Sequence, residues 1–267
     1  MSVSTLCILI ICGLCTNVMS ALFGIGGGVL MVPVLRTLFP QIPLQMVAAT
    51  SLSIVICTSV INLFYFSRQH IKIDIKRVIF WSMGMILGVQ LGFELSFMIP
   101  EWLITGVFIV TISFLALKIL FSVTNAEKDK DKPDLLQGTR YCTFGGFIAG
   151  MTGLGGGSIM APLVGQLSSV KHYQIAIYTN WMMVLSGVGT LYSYMSKSVI
   201  VPQEMLGSWQ VGYVNITVVL LVVASSFVMS FFSMKIRSLL TAKRSNKILG
   251  YMLLGIAFYM LALEYFL

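Results

Sequence analysis

Long apolar stretches alternate with short polar ones along the whole chain. Apolar blocks fall at about 3–39, 44–66, 78–99, 102–123, 140–167, 173–195, 208–234 and 248–267, four in each half. The uncharged runs Leu44–Phe66 and Tyr173–Met195 are 23 residues each, and a helix needs about 20 residues to cross the hydrocarbon core of a bilayer. The pattern predicts an all-α polytopic membrane protein. Its composition agrees: 57% hydrophobic residues, 10% charged residues and a mean hydropathy of +0.93 leave too little polar surface to enclose a water-soluble core.

The blocks repeat. Residues 24–33 read GIGGGVLMVP and residues 153–162 read GLGGGSIMAP, an offset of 129 in a chain of 267. The same offset carries Thr50 onto Thr179 and Tyr65 onto Tyr194. Between the halves, residues 124–137 read TNAEKDKDKPDLLQ. Alternating charge with a proline buries no apolar area and predicts a solvated linker. The expected organisation is a first membrane repeat over 1–123, a charged cytoplasmic linker over 124–139 and a second repeat over 140–267.

Charge sets the topology. The net charge is +8, which in a soluble protein would suggest nucleic acid; here the basic residues lie in the gaps between apolar blocks, as the positive-inside rule requires. If every block crossed once, the basic residues would divide 10 to 7 between the two faces. If the first block of each half bends at its glycines and returns, or crosses twice, each half has an odd parity. The clusters at 68–77, 118–140, 171 and 235–247 then share the cytoplasmic face, with only Arg36 and Lys197 opposite, a division of 15 to 2. Odd parity places the second half upside down relative to the first, so the expected architecture is two inverted repeats, each a glycine-broken segment plus three transmembrane helices. The first twenty residues have an apolar stretch but no Lys or Arg ahead of it, and are read as the opening membrane segment rather than a cleaved signal. Cys7, Cys12, Cys15, Cys57 and Cys142 lie in or beside apolar blocks and are read as packing residues.

The chemistry is expected at the breaks. Glycine permits positive φ and close backbone approach, and Pro33 and Pro162 follow each break at one register. Backbone exposed at such an elbow must be covered by protein or line a wet cavity. The N–H groups that start the following half-helices would turn positive dipole ends into that cavity, a site for an anion. The residues expected there are Gly24, Gly26, Gly27 and Gly28, with Gly153, Gly155, Gly156, Gly157 and Ser158 in the second copy. Thr50 and Ser51, with Thr179 and Asn180 at the repeat-related positions, are the expected hydroxyl and amide ligands. Ser51, Thr58 and Asn62 form one helical stripe, as do Thr179, Ser186 and Thr190. Gly84, Gly88 and Gly92, spaced by four, are read as a helix-packing face. Glu94 is the candidate for proton coupling, although it lies near the end of its block. No metal or cofactor motif, zinc-protease pair or nucleophile elbow stands out, and the reading excludes an enzyme.

The segment ALFGIGGGVLMVPVL followed by AATSL, with its echo FIAGMTGLGGGSIMAPLV followed by YTN, resembles the TauE/SafE family of sulfite exporter-like membrane proteins over nearly the whole chain. The resemblance implies a multi-pass permease of the bacterial cytoplasmic membrane moving sulfite, organosulfonates or related small anions, with the glycine elbows, Thr50, Ser51, Thr179 and Asn180 in the pathway. The second half departs from the simpler pattern, with Asn180-Trp181 where the first has Ser51-Leu52. The partners expected are a small anion and the lipid bilayer, with room for a homodimer and no role for nucleic acid. The alternative reading is a membrane scaffold or sensor whose glycines serve helix packing alone.

Overall fold

The computed structural model describes residues 3–69, 71, 73–121, 134–153, 156–167, 169–197, 209–239 and 242–266. In chain order the first half gives α1 (Val3–Phe23), α2 (Gly28–Leu38), α3 (Leu44–Ser67), α4 (Ile75–Ser96) and α5 (Glu101–Phe121). The second gives α6 (Leu135–Thr152), α7 (Gly157–Val164), α8 (His172–Ser196), a two-stranded hairpin of β1 (Gln210–Val211) and β2 (Val214–Asn215), α9 (Ile216–Leu239) and α10 (Ala242–Phe266). Among the described residues six helices are long and apolar enough to cross a membrane: α1, α3, α4, α5 and the apolar parts of α9 and α10. The chain is a multi-pass membrane protein. Of the expected linker, residues 124–133 lie outside the described residues, and 135–139 already form the start of α6.

Both first blocks break where the glycines predict. The arms are unequal: α1 and α6 have 21 and 18 residues, whereas α2 and α7 have 11 and 8. At about 1.5 Å per residue the short arms reach roughly 16 and 12 Å, half a bilayer core. Pro33 and Pro162 sit inside the short arms, each removing one backbone donor.

Packing follows the repeat. α1 lies on α9 and α6 on α4; α2 touches α10 and α7 touches α5; α3 meets α8, and α5 meets α10. Exchanging each helix for its repeat counterpart maps this set of contacts onto itself. The chemistry of the two seams differs. On α4, a side chain at Gly88 would overlap the Thr143 carbonyl of α6, one at Gly92 the Phe147 carbonyl, and one at Gly150 of α6 the Val89 carbonyl. These glycines let two backbones approach. On the α1–α9 seam the contacts are polar: Thr16 Oγ1 and Ser226 Oγ lie 3.1 Å apart, and Ser226 Oγ donates to the Gly13 carbonyl at 2.7 Å.

The loops sort by charge. At one end Arg77 donates to the Ser169 carbonyl at 3.3 Å, Ser169 N–H donates to Asp134 at 2.9 Å, and Lys118 donates to Gln166 at 2.7 Å. At the other end Arg36 pairs with Glu101 at 3.4 Å and Glu264 at 3.7 Å, while Lys197 pairs with Glu94 at 3.8 Å. Glu101 also accepts from the N–H of Leu44, and Gln45 donates to the Ser96 carbonyl, which ties the start of α3 to this end.

The hairpin is an element the helical periodicity does not predict. Block 208–234 does not begin as helix: Gly212 takes φ +56, Tyr213 N–H donates to the Tyr194 carbonyl at 3.1 Å, and Asn215 N–H donates to Thr50 Oγ1 at 3.2 Å. Hydrogen bonds to α8 and α3 satisfy backbone that helix would otherwise satisfy internally.

Candidate anion site at the glycine elbows

Residues 24–27 turn the chain from α1 into α2, and 153–156 turn it from α6 into α7. Gly24 and Gly153 have φ +69 and +70, and Gly26 and Gly156 have φ +63 and +81. L residues rarely adopt such backbone, so glycine is required by conformation as well as by space. Each first arm ends alike, with Gly24 N–H donating to the Ser20 carbonyl at 3.0 Å and Gly153 N–H to the Ala149 carbonyl at 2.9 Å. Leu154 and Gly155 lie outside the described residues. Gly27 departs from the expectation of a left-handed glycine: it has φ −72 and ψ −2. A side chain there is barred by Thr16 of α1, which it would overlap.

Each elbow is seated on the third helix of the other half. A Cβ on Gly24 would come within 2.5 Å of Ala176 Cα and of Thr179 Oγ1, both on α8; one on Gly153 would overlap Ala48 of α3. The elbows also meet each other. A Cβ on Gly157 would overlap the Ile25 carbonyl, and Met183 Sδ lies 2.5 Å from it and 2.9 Å from the corresponding point on Gly26. The start of α7 thus abuts the first elbow, with one methionine touching both. The first turn of any α-helix leaves its N–H groups without intrahelical acceptors, so the starts of α2 and α7 bring two sets of donors into one buried region.

The predicted side-chain ligands divide. Ser51 Oγ donates to the Gly28 carbonyl at 3.3 Å and so joins α3 to the start of α2. Thr179 Oγ1 donates to its own helix, at 3.0 Å to Ile175 and 3.1 Å to Ala176, while its side chain stands against Gly24. Asn180 Nδ2 donates to the Ala176 carbonyl at 2.5 Å. Its Oδ1, like Ser158 Oγ at the start of α7, is buried without a hydrogen-bond partner. Thr50 turns to the hairpin and not to the elbows. Glu94 is not brought to the elbows either; its side chain is 54% exposed beside Lys197.

Beside the second elbow lies a crevice lined by Gly153, Gly156, Met85, Ser186, Thr190 and Tyr194, among others, with space for about one water. Ser186 and Thr190 belong to the polar stripe of α8, a signal visible in the sequence but shared with hydroxyls that merely bond their own helix. Tyr194 stacks edge-on against Phe93 at 4.5 Å, and the Lys197 ammonium lies 3.8 Å from the centre of the Phe97 ring. Among the described residues no group of three His, Cys, Asp or Glu could hold a metal ion.

Spanning helices and two broken arms whose elbows pack against each other define a multi-pass membrane protein. Comparison with known proteins gives it a family. The family described as Sulfite exporter TauE/SafE matches residues 9–260, and the chain belongs to it. A probable membrane transporter protein of Haemophilus influenzae is 49% identical over 99% of both chains. A probable membrane transporter protein of Methanocaldococcus jannaschii is 27% identical over 95% of this chain and 94% of its own length. A second probable membrane transporter protein of Haemophilus influenzae is 26% identical over 89% of each chain. No solved structure matches the chain. The family is described as an exporter family and the relatives as probable membrane transporters, in agreement with the sequence reading of a transporter rather than an enzyme.

Proposed function

We propose that this protein is a secondary transporter that carries a small anion, such as sulfite or an organosulfonate, out across the bacterial cytoplasmic membrane. The observation that supports it most is the meeting of the two elbows at Ile25 and Gly157, where the starts of α2 and α7 converge beside the unpartnered hydroxyl of Ser158. A helix N-terminus carries about half a positive charge. Two of them supply about one unit, enough to attract an anion and too little to trap it.

Two inverted halves, 1–123 and 140–267, joined by a cytoplasmic linker, accord with the sorting of charge between the two ends and with contacts that survive exchange of the halves. Gly24, Gly26, Gly27 and Gly28 with Gly153, Gly155, Gly156, Gly157 and Ser158 form the site on this reading; Ser51, Thr179 and Asn180 support it from α3 and α8, and Thr50 holds the hairpin that closes one end. Carriage proceeds by rocking of one half against the other around the fixed site. A negative-inside potential favours exit of an anion by about 2.3 kcal/mol per charge per 100 mV, so export needs no coupled ion. Glu94 remains the group to examine if a proton moves. Flux of sulfite, sulfate, thiosulfate and a sulfonate into or out of proteoliposomes, with voltage and pH gradients imposed separately, tests the reading. Absence of flux for all four would refute it.

A further inference from the structure

Helices α1, α3 and α9 bury a polar cluster that the elbow site does not use. Thr16, Asn17, Ser20, Asn62, Ser226 and Ser233 are each fully buried. Ser233 Oγ donates to Asn17 Oδ1 at 2.8 Å, and Asn62 Nδ2 donates to Ser20 Oγ at 2.8 Å. Each carboxamide is held at one end. The other ends, Asn17 Nδ2 and Asn62 Oδ1, are buried without a hydrogen-bond partner.

Helix packing does not ask for this arrangement. The α4–α6 seam, the repeat-related counterpart of the α1–α9 seam, closes on glycines and backbone. At the 129-residue offset Asn17 corresponds to Gly146, Ser20 to Ala149 and Asn62 to Leu191. Leaving a buried amide group unpaired costs about 1–3 kcal/mol, and the repeat-related positions carry no amide. The cluster also adjoins the first elbow, since the Ser20 carbonyl accepts from Gly24 N–H and Thr16 stands against Gly27.

We propose that Asn17 and Asn62 form a ligand subsite beside the first elbow for a small monoanion that also carries a hydroxyl group. The proposal rests on the reading of the elbows as an anion site and narrows its substrate class. Asn17 Nδ2 donates to an anionic oxygen. Asn62 Oδ1 accepts, and so requires a donor that a fully ionised oxyanion lacks. The cluster is built from uncharged groups, while the Born cost of burying a dianion is about four times that of a monoanion. An oxyacid monoanion that keeps its proton satisfies these conditions, and so does a hydroxyalkylsulfonate.

The test uses the full chain purified in detergent, titrated calorimetrically at neutral pH with 2-hydroxyethanesulfonate and with ethanesulfonate, monoanions that differ by one hydroxyl. The hydroxylated anion binds tighter by at least about tenfold, because a site built to pair a hydroxyl is left with an unpaired group by the analogue. Asn62→Leu abolishes that advantage and leaves ethanesulfonate binding within about twofold. It lowers the melting temperature only modestly, since the loss of the bond from Asn62 Nδ2 to Ser20 Oγ is offset by removal of the unpaired Oδ1. Asn62→Ala removes the same acceptor and reads the same way should the leucine variant not fold. Asn17→Ala weakens both anions together.

Equal binding of the two anions by the wild type, or a full hydroxyl advantage in the Asn62 variants, means that the pair holds only water and overturns the proposal. A melting temperature lowered by several degrees with binding unchanged assigns the cluster to helix packing and overturns it as well. The elbow reading fails separately: if Gly156→Ala binds both anions as the wild type does while Asn62→Leu loses the advantage, the subsite stands without it. If the wild type binds neither anion, the proposal falls, and the elbow reading is decided separately by the flux of the four anions.

Discussion

Gly156→Ala and Gly88→Ala place the same methyl group in two surroundings and thereby separate the anion site from the scaffold. At Gly156 φ is +81, a conformation that costs an L residue roughly 1–3 kcal/mol. The new methyl would overlap the end of Met85, but its next neighbours are Ala149 Cβ at 3.7 Å and Met85 Sδ at 3.8 Å, ordinary contacts. A methionine end swings aside readily, so backbone strain is the main loss. Gly88 is helical and carries no such strain. There the methyl would overlap the Thr143 carbonyl oxygen, with Phe147 N at 2.8 Å and the Thr143 carbonyl carbon at 3.0 Å. These are backbone atoms of α6, and the whole helix must retreat. Overpacking costs about 1–3 kcal/mol where side chains can adjust, so about 3 kcal/mol is a fair expectation where they cannot. Gly156 lines a crevice with space for about one water, which a methyl group fills. Melting temperature and calorimetric sulfite affinity, measured on both variants, should therefore move in opposite order. Gly156→Ala loses at least about tenfold in affinity with the smaller drop in stability; Gly88→Ala has the larger drop and binds within about twofold of the wild type. Normal sulfite binding by Gly156→Ala would refute the elbow site, and weak binding by a Gly88→Ala protein of unchanged stability would refute the division between site and scaffold.

Single cysteines at Lys247 and Glu264, in a cysteine-free background, should report opposite faces: an impermeant thiol reagent added to intact cells labels position 264 and reaches 247 only after permeabilisation. Labelling of 247 from outside would sink the odd-crossing topology. Transport of the anion should carry net negative charge and respond to an imposed potential, since helix dipoles and hydroxyls compensate without a permanent charge. Flux indifferent to voltage with a matching proton movement would instead direct attention to Glu94. Arg36→Gln should cost about 1 kcal/mol, because the guanidinium ties the end of α2 to half-exposed carboxylates on α5 and α10. An unchanged melting temperature would mean that apolar packing alone holds the short arm.

The duplicated glycines announce two elbows in the sequence because three consecutive glycines and a proline have few other uses inside an apolar block, and the structure breaks both blocks there. The glycine face at 84, 88 and 92 is legible for the same reason: a spacing of four names a helix seam without saying which helix meets it. Side-chain direction is not legible. Thr50 and Thr179 are equivalent by offset, yet one accepts from the hairpin and the other packs on Gly24, because the element that contacts Thr50 has no match in the periodicity. The polar seam of α1 and α9 is hidden for a related reason. Asn17, Ser20 and Ser233 stand in ordinary apolar runs, and only the crossing of helices distant in sequence assembles them.

The two glycine phrases share a sequence pattern but not a conformation. Gly27 lies at φ −72 and ψ −2, Gly156 at φ +81 and ψ −29. Their surroundings account for the difference. Thr16 stands against Gly27, whereas the residue 129 positions further on is Gly145, and Gly156 faces Met85 and the crevice instead. The first elbow is thus closed against its own long arm while the second borders the crevice. On the transporter reading this inequality is what a carrier with two related halves requires, since elbows held alike would offer the anion the same access from both faces at once. Thr16→Gly gives the first elbow the freedom of the second, and it should raise passive leak of sulfite from loaded proteoliposomes. A variant as tight as the wild type would show that the difference between the elbows does not govern access.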